Sequence, residues 1–471
     1  MKKKVAKKIL ALAMMTSVLT AIVFGGAYTS PVKAELEEKK EIKNIIFLIG
    51  DGMGVSYMTA LRYMKNDPET KEMELTEFDH YLVGQQTTYP DDGRENITDS
   101  ASAATAMSSG VKTYNNAIAV DHDKNKVQTV LEQAKENGKA TGLVATSEIT
   151  HATPAAYGAH NESRKNMDEI ADDYYDELVN GKHKIDVMLG GGKKNFVRSD
   201  RNLAEAFQQD GFSYVTNRDE LLNDKNNQIL GLFAEGGLPK MLDRTNETPS
   251  LTEMTTAALE RLSKNENGFF LMVEGSQIDW AGHDNDIVGA MSEMEDFEQA
   301  FKAAIDYAKN DPHTLVIATA DHSTGGLSLG ANDEDGNGIY NWNPSVIKAA
   351  KRTPAFMTEE IASGEDVEET LTMYIDLELT VEEIESVQKA ADEYHIASNK
   401  EDRHYYLAKI NNTIKRIFDA RSHTGWTTNG HTAEEVNVYA YGPGKELFAG
   451  LIDNTKSAEI IFAILEETKK S

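Results

Sequence analysis

The sequence predicts an α/β fold, a largely parallel central sheet with helices on both faces and a mostly helical cap inserted into it. Three observations carry this reading. Apolar, β-rich runs recur between helical stretches at 45–49, 140–145, 185–189, 269–273, 315–318 and 436–441. Three of these runs end abruptly in acids and imidazoles, as ligand residues do at the carboxyl ends of strands in open α/β sheets. The chain, at 471 residues, is also long enough for a large core and shows neither an internal repeat nor a low-complexity linker.

The amino terminus reads separately from the fold. Lys2, Lys3, Lys4, Lys7 and Lys8 precede an apolar stretch from Ile9 to Ala27, and Val32-Lys33-Ala34 supplies small residues for cleavage. This predicts a secretory signal peptide over 1–34, cleaved near Ala34, with 35–471 as the mature domain. A retained membrane anchor is the alternative, because the apolar stretch is long. On the first reading the mature protein is secreted or associated with the cell wall, with no membrane contact. Six of the 48 Lys and Arg residues and none of the 77 acids lie in the first 34 positions, so cleavage moves the net charge from −29 to −35. Such acidity argues against binding nucleic-acid backbones or anionic lipid through a general surface field and favours solubility outside the cell. There is no cysteine, so disulfides and thiolate metal sites are excluded and any zinc must be held by His, Asp or Glu.

Taken in order, the first run leads into Gly50-Asp51-Gly52-Met53-Gly54. The glycines fail the dinucleotide spacing G-x-G-x-x-G, because Val55 and Tyr57 stand where the third would fall. They serve instead a tight turn that exposes Asp51. Thr98-Asp99-Ser100-Ala101 then opens a small-residue segment that reads as a buried helix, with Ser100 where the helix dipole favours an alkoxide. A capping serine is the alternative. No G-x-S-x-G elbow surrounds it, which argues against an α/β-hydrolase triad.

The run at 140–145 is followed by His151-Ala152-Thr153-Pro154 and then by Arg164, whose guanidinium suits a bidentate clamp on a tetrahedral anion. Gly190-Gly191-Gly192 reads as a structural turn. The run at 269–273 meets Glu274, and Asp279 and His283 follow four residues apart, on one face of a helical turn, as half of a metal site. The run at 315–318 ends in Asp321 and His322.

The cap spans about 327–418. Thr380-Val381-Glu382-Glu383 is a capping box, and Leu407, Ile410, Ile414 and Ile417 form a helical stripe suited to packing. Asp333, Asp335, Asn337 and Gly338 open like a calcium loop, but Pro344 occupies the twelfth position, so a polar turn is expected there. Asp121 and Asp123 lack even the glycine.

Six pieces occur in one order between about Ile45 and Pro443: Asp51-Gly52-Met53-Gly54, Thr98-Asp99-Ser100-Ala101, Ala152-Thr153-Pro154 with Ser163-Arg164, Glu274 through His283, Ala320-Asp321-His322, and Gly430-His431-Thr432. With them the chain resembles the alkaline phosphatase family, specifically its secreted bacterial members. The resemblance implies hydrolysis of a broad range of small phosphate monoesters to alcohol and inorganic phosphate at alkaline pH, through a phosphoserine on Ser100. It implies Arg164 as the phosphoryl clamp and two Zn2+ and one Mg2+ per chain. Asp279, His283 and His431 correspond to the first zinc site, and Asp51, Asp321 and His322 to the second. Asp51, Thr153 and Glu274 correspond to the third site, which is oxygen-rich and suits magnesium.

Two positions depart from the best-known form of the family, which has Asp at His151 and Lys at Trp280. A nitrogen donor at His151 would let Zn2+ or Co2+ replace magnesium, although a satisfied core histidine is the alternative. Trp280 removes a cation beside the phosphate, which weakens product retention. A homodimer, as in many relatives, is compatible with the sequence. The rival readings are a phosphodiesterase or sulfatase of the same superfamily and a non-catalytic phosphate-binding protein. Thr153 and Glu274 favour monoesters, the lack of cysteine excludes a cysteine-derived sulfatase nucleophile, and the intact Ser100 argues for catalysis.

Overall fold

The computed structural model describes residues 41–468 apart from 334, and the expected signal peptide lies outside them. One sheet holds β1 (Asn44–Gly50), β2 (Leu82–Thr87), β3 (Ala140–Glu148), β4 (Val187–Gly191), β5 (Ser213–Val215), β6 (Ile229–Leu232), β7 (Phe269–Gly275), β8 (Thr314–Ala320), β9 (Val436–Tyr441) and β10 (Gly450–Asp453). Their order is β10-β2-β9-β8-β1-β7-β3-β4-β6-β5. Strands β8 through β5 in that order pair in parallel, whereas β9 runs antiparallel to both β8 and β2. All six expected runs form strands, with 185–189 displaced to Val187–Gly191. The other four carry no such signal: β2 has a Gly and two Gln in place of an apolar run, and β5, β6 and β10 are three or four residues long.

The helices used below are α1 (Val55–Lys65), α2 (Ser100–Ser109), α3 (Val130–Glu136), α4 (Ala152–Gly158), α5 (Met167–Asp176), α6 (Gln277–His283), α7 (Ile287–Asn310), α8 (Pro344–Lys348), α9 (Pro354–Ser363), α10 (Val367–Tyr374), α11 (Val381–Ile396) and α12 (Lys400–Ser422). Every residue of β1, β7 and β8 is buried, so both faces of the central sheet are covered. Strand alternation divides their side chains between two layers. Ile46, Leu48, Leu271, Val273 and Val316 pack in one cluster with Met58 and Leu61 of α1 and Phe297 and Phe301 of α7. On the opposite face Tyr157 of α4 meets Phe47 edge-on at 6.3 Å and stacks on Phe270 at 5.9 Å. Each such fully buried side chain contributes about 1.5–3 kcal/mol before the entropy of ordering is counted.

Between β8 and β9 the chain leaves the sheet for α8 to α12. Thr380 caps α11 and Glu383 returns the bond, completing the capping box. Ile410, Ile414 and Ile417 of α12 are buried in the same cluster as the sheet residues, so the stripe is a packing face. Asp333 Oδ1 accepts the backbone N–H groups of Asp335 (3.0 Å) and Asn337 (2.7 Å) and closes an exposed polar turn. The triple glycine is a turn only at Gly192, at φ +92°; Gly190 and Gly191 end β4, where a Cβ on Gly191 would stand 2.0 Å from the carbonyl oxygen of Gly236. Among the described residues no helix is long and apolar enough to cross a membrane.

Candidate active site

Four adjacent strands, β8-β1-β7-β3, bring their carboxyl ends to one place. β1 runs into Asp51, and β8 into Asp321 and His322. Glu274 lies within β7, in register with Ile49 of β1 and Ala145 of β3. β3 leads to His151 at the N-cap of α4 and to Thr153 in its first turn. The glycine turn presents Asp51 to the interior and not to solvent, since Asp51 is completely buried. Gly52, at φ +71°, donates its N–H to Asp321 Oδ1 (3.0 Å), and a Cβ there would stand 2.8 Å from Asp279 Cα. Only glycine permits both the positive φ and this close approach.

The helical spacing of Asp279 and His283 is realised on α6, with His283 Nε2 3.3 Å from Asp279 Oδ2. His431 arrives from beyond the cap. A two-residue ladder pairs it with Thr324, just past β8, and sets its ring 3.6 Å from that of His322. His283 Nδ1 donates to Asn429 O (2.5 Å) and His431 Nδ1 to Thr98 O (2.8 Å). Each bond fixes the tautomer, so the two Nε2 atoms, 3.1 Å apart, turn toward Asp279. Two imidazole lone pairs facing a carboxylate demand positive charge between them. The hydrogen bond to Asp279 accordingly raises His283 to about 9.

Three sets of donors each lie within 4.8 Å of one another: Asp279, His283 and His431; Asp51, Asp321 and His322; Asp51, His151 and Glu274. Burial raises Glu274 and Asp321 to about 7 and pushes Asp51 well above the carboxylate range, with Asp321, Asp279 and Glu274 adding repulsion at Asp51. Both Asp51 oxygens, Glu274 Oε1, Asp321 Oδ2, Thr153 Oγ1 and His151 Nδ1 are buried without a hydrogen-bond partner. Each such atom costs about 1–3 kcal/mol when left unpaired, and more if charged. Divalent cations fit these donor sets, which offer oxygen and nitrogen and no sulfur.

Asp99, not Ser100, caps α2, accepting the Ser102 N–H at 2.9 Å. Ser100 is the first helical residue, and its Oγ lies 3.2 Å from His322 Nε2. Asp99 also accepts Arg164 Nη1 through Oδ2 (3.0 Å), while Arg164 Nη2 donates to His151 Nε2 (3.2 Å). Burial and then Arg164 lower His151 to about 3, so its imidazole is neutral. Trp280 meets His151 edge-on at 5.7 Å, and a Cβ on Gly237 would stand 2.4 Å from its indole. All the expected site residues therefore converge on one centre. Sequence reading missed Asp99 as the partner of Arg164 and Thr324, whose Oγ1 donates to Asp279 Oδ1 (2.5 Å). Both sit one or two residues from a residue that was singled out. The carbonyls of Thr98 and Asn429 have no side-chain signal at all.

The alkaline phosphatase family model matches residues 42–467. The chain is 62% identical to alkaline phosphatase 3 of Bacillus subtilis (strain 168), over 98% of each chain. It is similar in structure to the cold-active alkaline phosphatase of the psychrophile Shewanella sp., with a TM-score of 0.81 and 40% identity, covering 90% of this chain and 99% of that one. A mutant alkaline phosphatase of the Antarctic bacterium TAB5, with Mg bound in its M3 site, matches with a TM-score of 0.64 and 30% identity, over 91% of this chain and 99% of that one.

Proposed function

This chain belongs to the alkaline phosphatase family, whose function is the hydrolysis of phosphate monoesters, and from that premise we propose that Ser100 is its nucleophile and Arg164 its phosphoryl clamp. The observation that carries the assignment is the gathering of three donor sets around these two side chains, two of them with buried polar atoms left unpaired. Asp279, His283 and His431 would hold one zinc, Asp51, Asp321 and His322 a second, and Asp51, Thr153 and Glu274 the third ion. Nδ1 of His151 is buried without a partner, and in the Nε2–H tautomer, which gives up the Arg164 bond, it would join that third set, where a nitrogen donor admits Zn2+ or Co2+ beside Mg2+. When bound, the cations supply positive charge beside the phosphoryl oxygens and the attacking and leaving oxygens.

The residues do the rest. Asp99 orients the guanidinium of Arg164, which holds two phosphoryl oxygens. Ser100 Oγ bonds to phosphorus as the ester P–O bond breaks and the alcohol leaves with a proton. A water oxygen then bonds to phosphorus, the Ser100 O–P bond breaks, Ser100 recovers a proton, and inorganic phosphate departs. Recognition rests on the phosphoryl group and not its alcohol, which supports a broad range of small monoesters. The amino-terminal pattern supports secretion or wall association, and a homodimer is compatible with this reading.

The test is hydrolysis of nitrophenyl phosphate after chelation, with zinc, magnesium and cobalt restored separately and together. Activity should return fully only with metal. Ser100→Ala should lose phosphoserine formation and several orders of magnitude in turnover. Full turnover in that variant would show another nucleophile, and preference for bis-nitrophenyl phosphate or nitrophenyl sulfate would favour the diesterase or sulfatase reading.

A further inference from the structure

A second buried cluster of ionisable side chains lies behind Arg164, and the hydrolytic reading leaves it unused. His160 follows α4, and the same segment supplies Arg164 four residues later. That segment is fastened along its length. Ile118 and Asn161 exchange both backbone hydrogen bonds at 2.9 Å, and the Arg164 N–H donates to Asn116 O at 2.8 Å. At its base the His160 N–H donates to Asp173 Oδ2 of α5 at 3.2 Å. The imidazole, only 5% exposed, reaches α3 and a second point on α5. Nε2 donates to Val127 O (3.0 Å) and faces Glu132 Oε2 of α3 at 3.5 Å, while Nδ1 donates to Glu177 Oε2, at the C-cap of α5, at 3.3 Å. Both nitrogens donate at once only in an imidazolium.

Glu132, His160 and Glu177 have the spacing of a cation site, but a cation already fills it. The wholly buried Lys184 Nζ donates to Glu177 Oε2 and lies 3.6 Å from Glu132 Oε1, and Lys126 also pairs with Glu177. The charged groups facing His160 are thus Glu132 of α3 and Glu177 and Asp173 of α5, with Lys126 and Lys184 sharing the two glutamates. Burial alone would lower the His160 pKa, but the bonds to Glu132 and Glu177 overcome it and raise it to about 9.

We propose that His160 is a positioning residue for Arg164: its imidazolium fastens segment 159–164 to α3 and α5 and thereby sets the place of the guanidinium. This rests on the reading of Arg164 as the phosphoryl clamp. A neutral imidazole donates from one nitrogen only, so loss of the proton turns a lone pair toward a carbonyl or a carboxylate and loosens the segment. Substrate affinity then falls at the alkaline end of the pH range while Ser100 and the metal-binding residues stay in place.

The experiment is steady-state kinetics on nitrophenyl phosphate, from neutral to strongly alkaline pH, with metal-replete wild type, His160→Gln, Arg164→Ala, the double variant and Glu177→Gln. His160→Gln should raise KM roughly tenfold at neutral pH with a smaller change in kcat, remove the alkaline rise in KM seen in wild type, and add nothing in the Arg164→Ala background. Glu177→Gln keeps the ring and removes one carboxylate, so the rise in KM should move to lower pH. Equal losses from His160→Gln in both backgrounds, or an alkaline KM rise unmoved in Glu177→Gln, would overturn the proposal. An Arg164→Ala enzyme with unchanged KM would overturn the clamp assignment itself.

Discussion

Trp280 shows how much one side chain can change in the proposed site, where it and His151 are the two departures from the best-known form of the family. Its indole stands edge-on to His151 and close above Gly237, so it offers the phosphoryl group no cation. A lysine there would add a charged hydrogen bond to bound phosphate, a contact that contributes about 1.5–3 kcal/mol. Trp280→Lys should therefore lower the inhibition constant for inorganic phosphate roughly tenfold, measured by competition with nitrophenyl phosphate. Equal inhibition of wild type and variant would remove Trp280 from the account of product release. Much at this scale was legible in the sequence, because ligand chemistry follows residue type. Asp51, Glu274, Asp279 and His322 announce themselves, whereas Asp99 became significant only when folding set Arg164 against it.

At the scale of elements, the same His160 that is proposed to position Arg164 joins α3 to α5 and makes their packing depend on pH. Its pKa of about 9 lies above the ordinary value of 6.5, so the protonated form stabilises the folded chain. The contribution is fully present below about pH 6.5 and is lost as pH rises through about 9. Calorimetry at fixed metal concentration should show the melting temperature of wild type falling across that window, and falling less in His160→Gln. Identical slopes in the two proteins would show that the cluster carries no such linkage. Element boundaries were less legible than residues. The central strands are fully buried and so read as continuous apolar runs, while β2, β5, β6 and β10 are too short or too polar to carry a period. The capping box at Thr380 and the stripe on α12 were legible because both are local patterns.

For the whole molecule the governing fact is charge. A chain of net charge −29 gathers Asp51, Glu274, Asp279 and Asp321 at one buried centre, where burial drives Asp51, Glu274 and Asp321 toward protonation and repulsion adds to it at Asp51 and Asp321. Cations that bind only the folded state relieve that repulsion and add to stability by mass action. Chelation should accordingly lower the melting temperature by several degrees, about 2.7 kcal/mol being at stake for each ion present at a hundred times its dissociation constant. Scanning calorimetry with and without chelator, followed by readdition of zinc and magnesium, checks this, and an unchanged midpoint would sink it. With no cysteine, no disulfide is present to mask the effect.

Residue type and spacing alone specify the fold class and the chemistry on offer. Strand runs buried on both faces must be apolar throughout, and cation binding without thiolates must draw on Asp, Glu and His, so both leave marks on residue type and spacing. How those donors meet depends on the folded arrangement of the strands. Strand order sets β8, β1, β7 and β3 side by side, and a two-residue ladder carries His431 across the whole cap to Thr324. Backbone carbonyls of Thr98 and Asn429 then turn two imidazoles toward one carboxylate. Such contacts join residues far apart in the chain through main-chain atoms that every residue possesses, so no local pattern of side chains can record them.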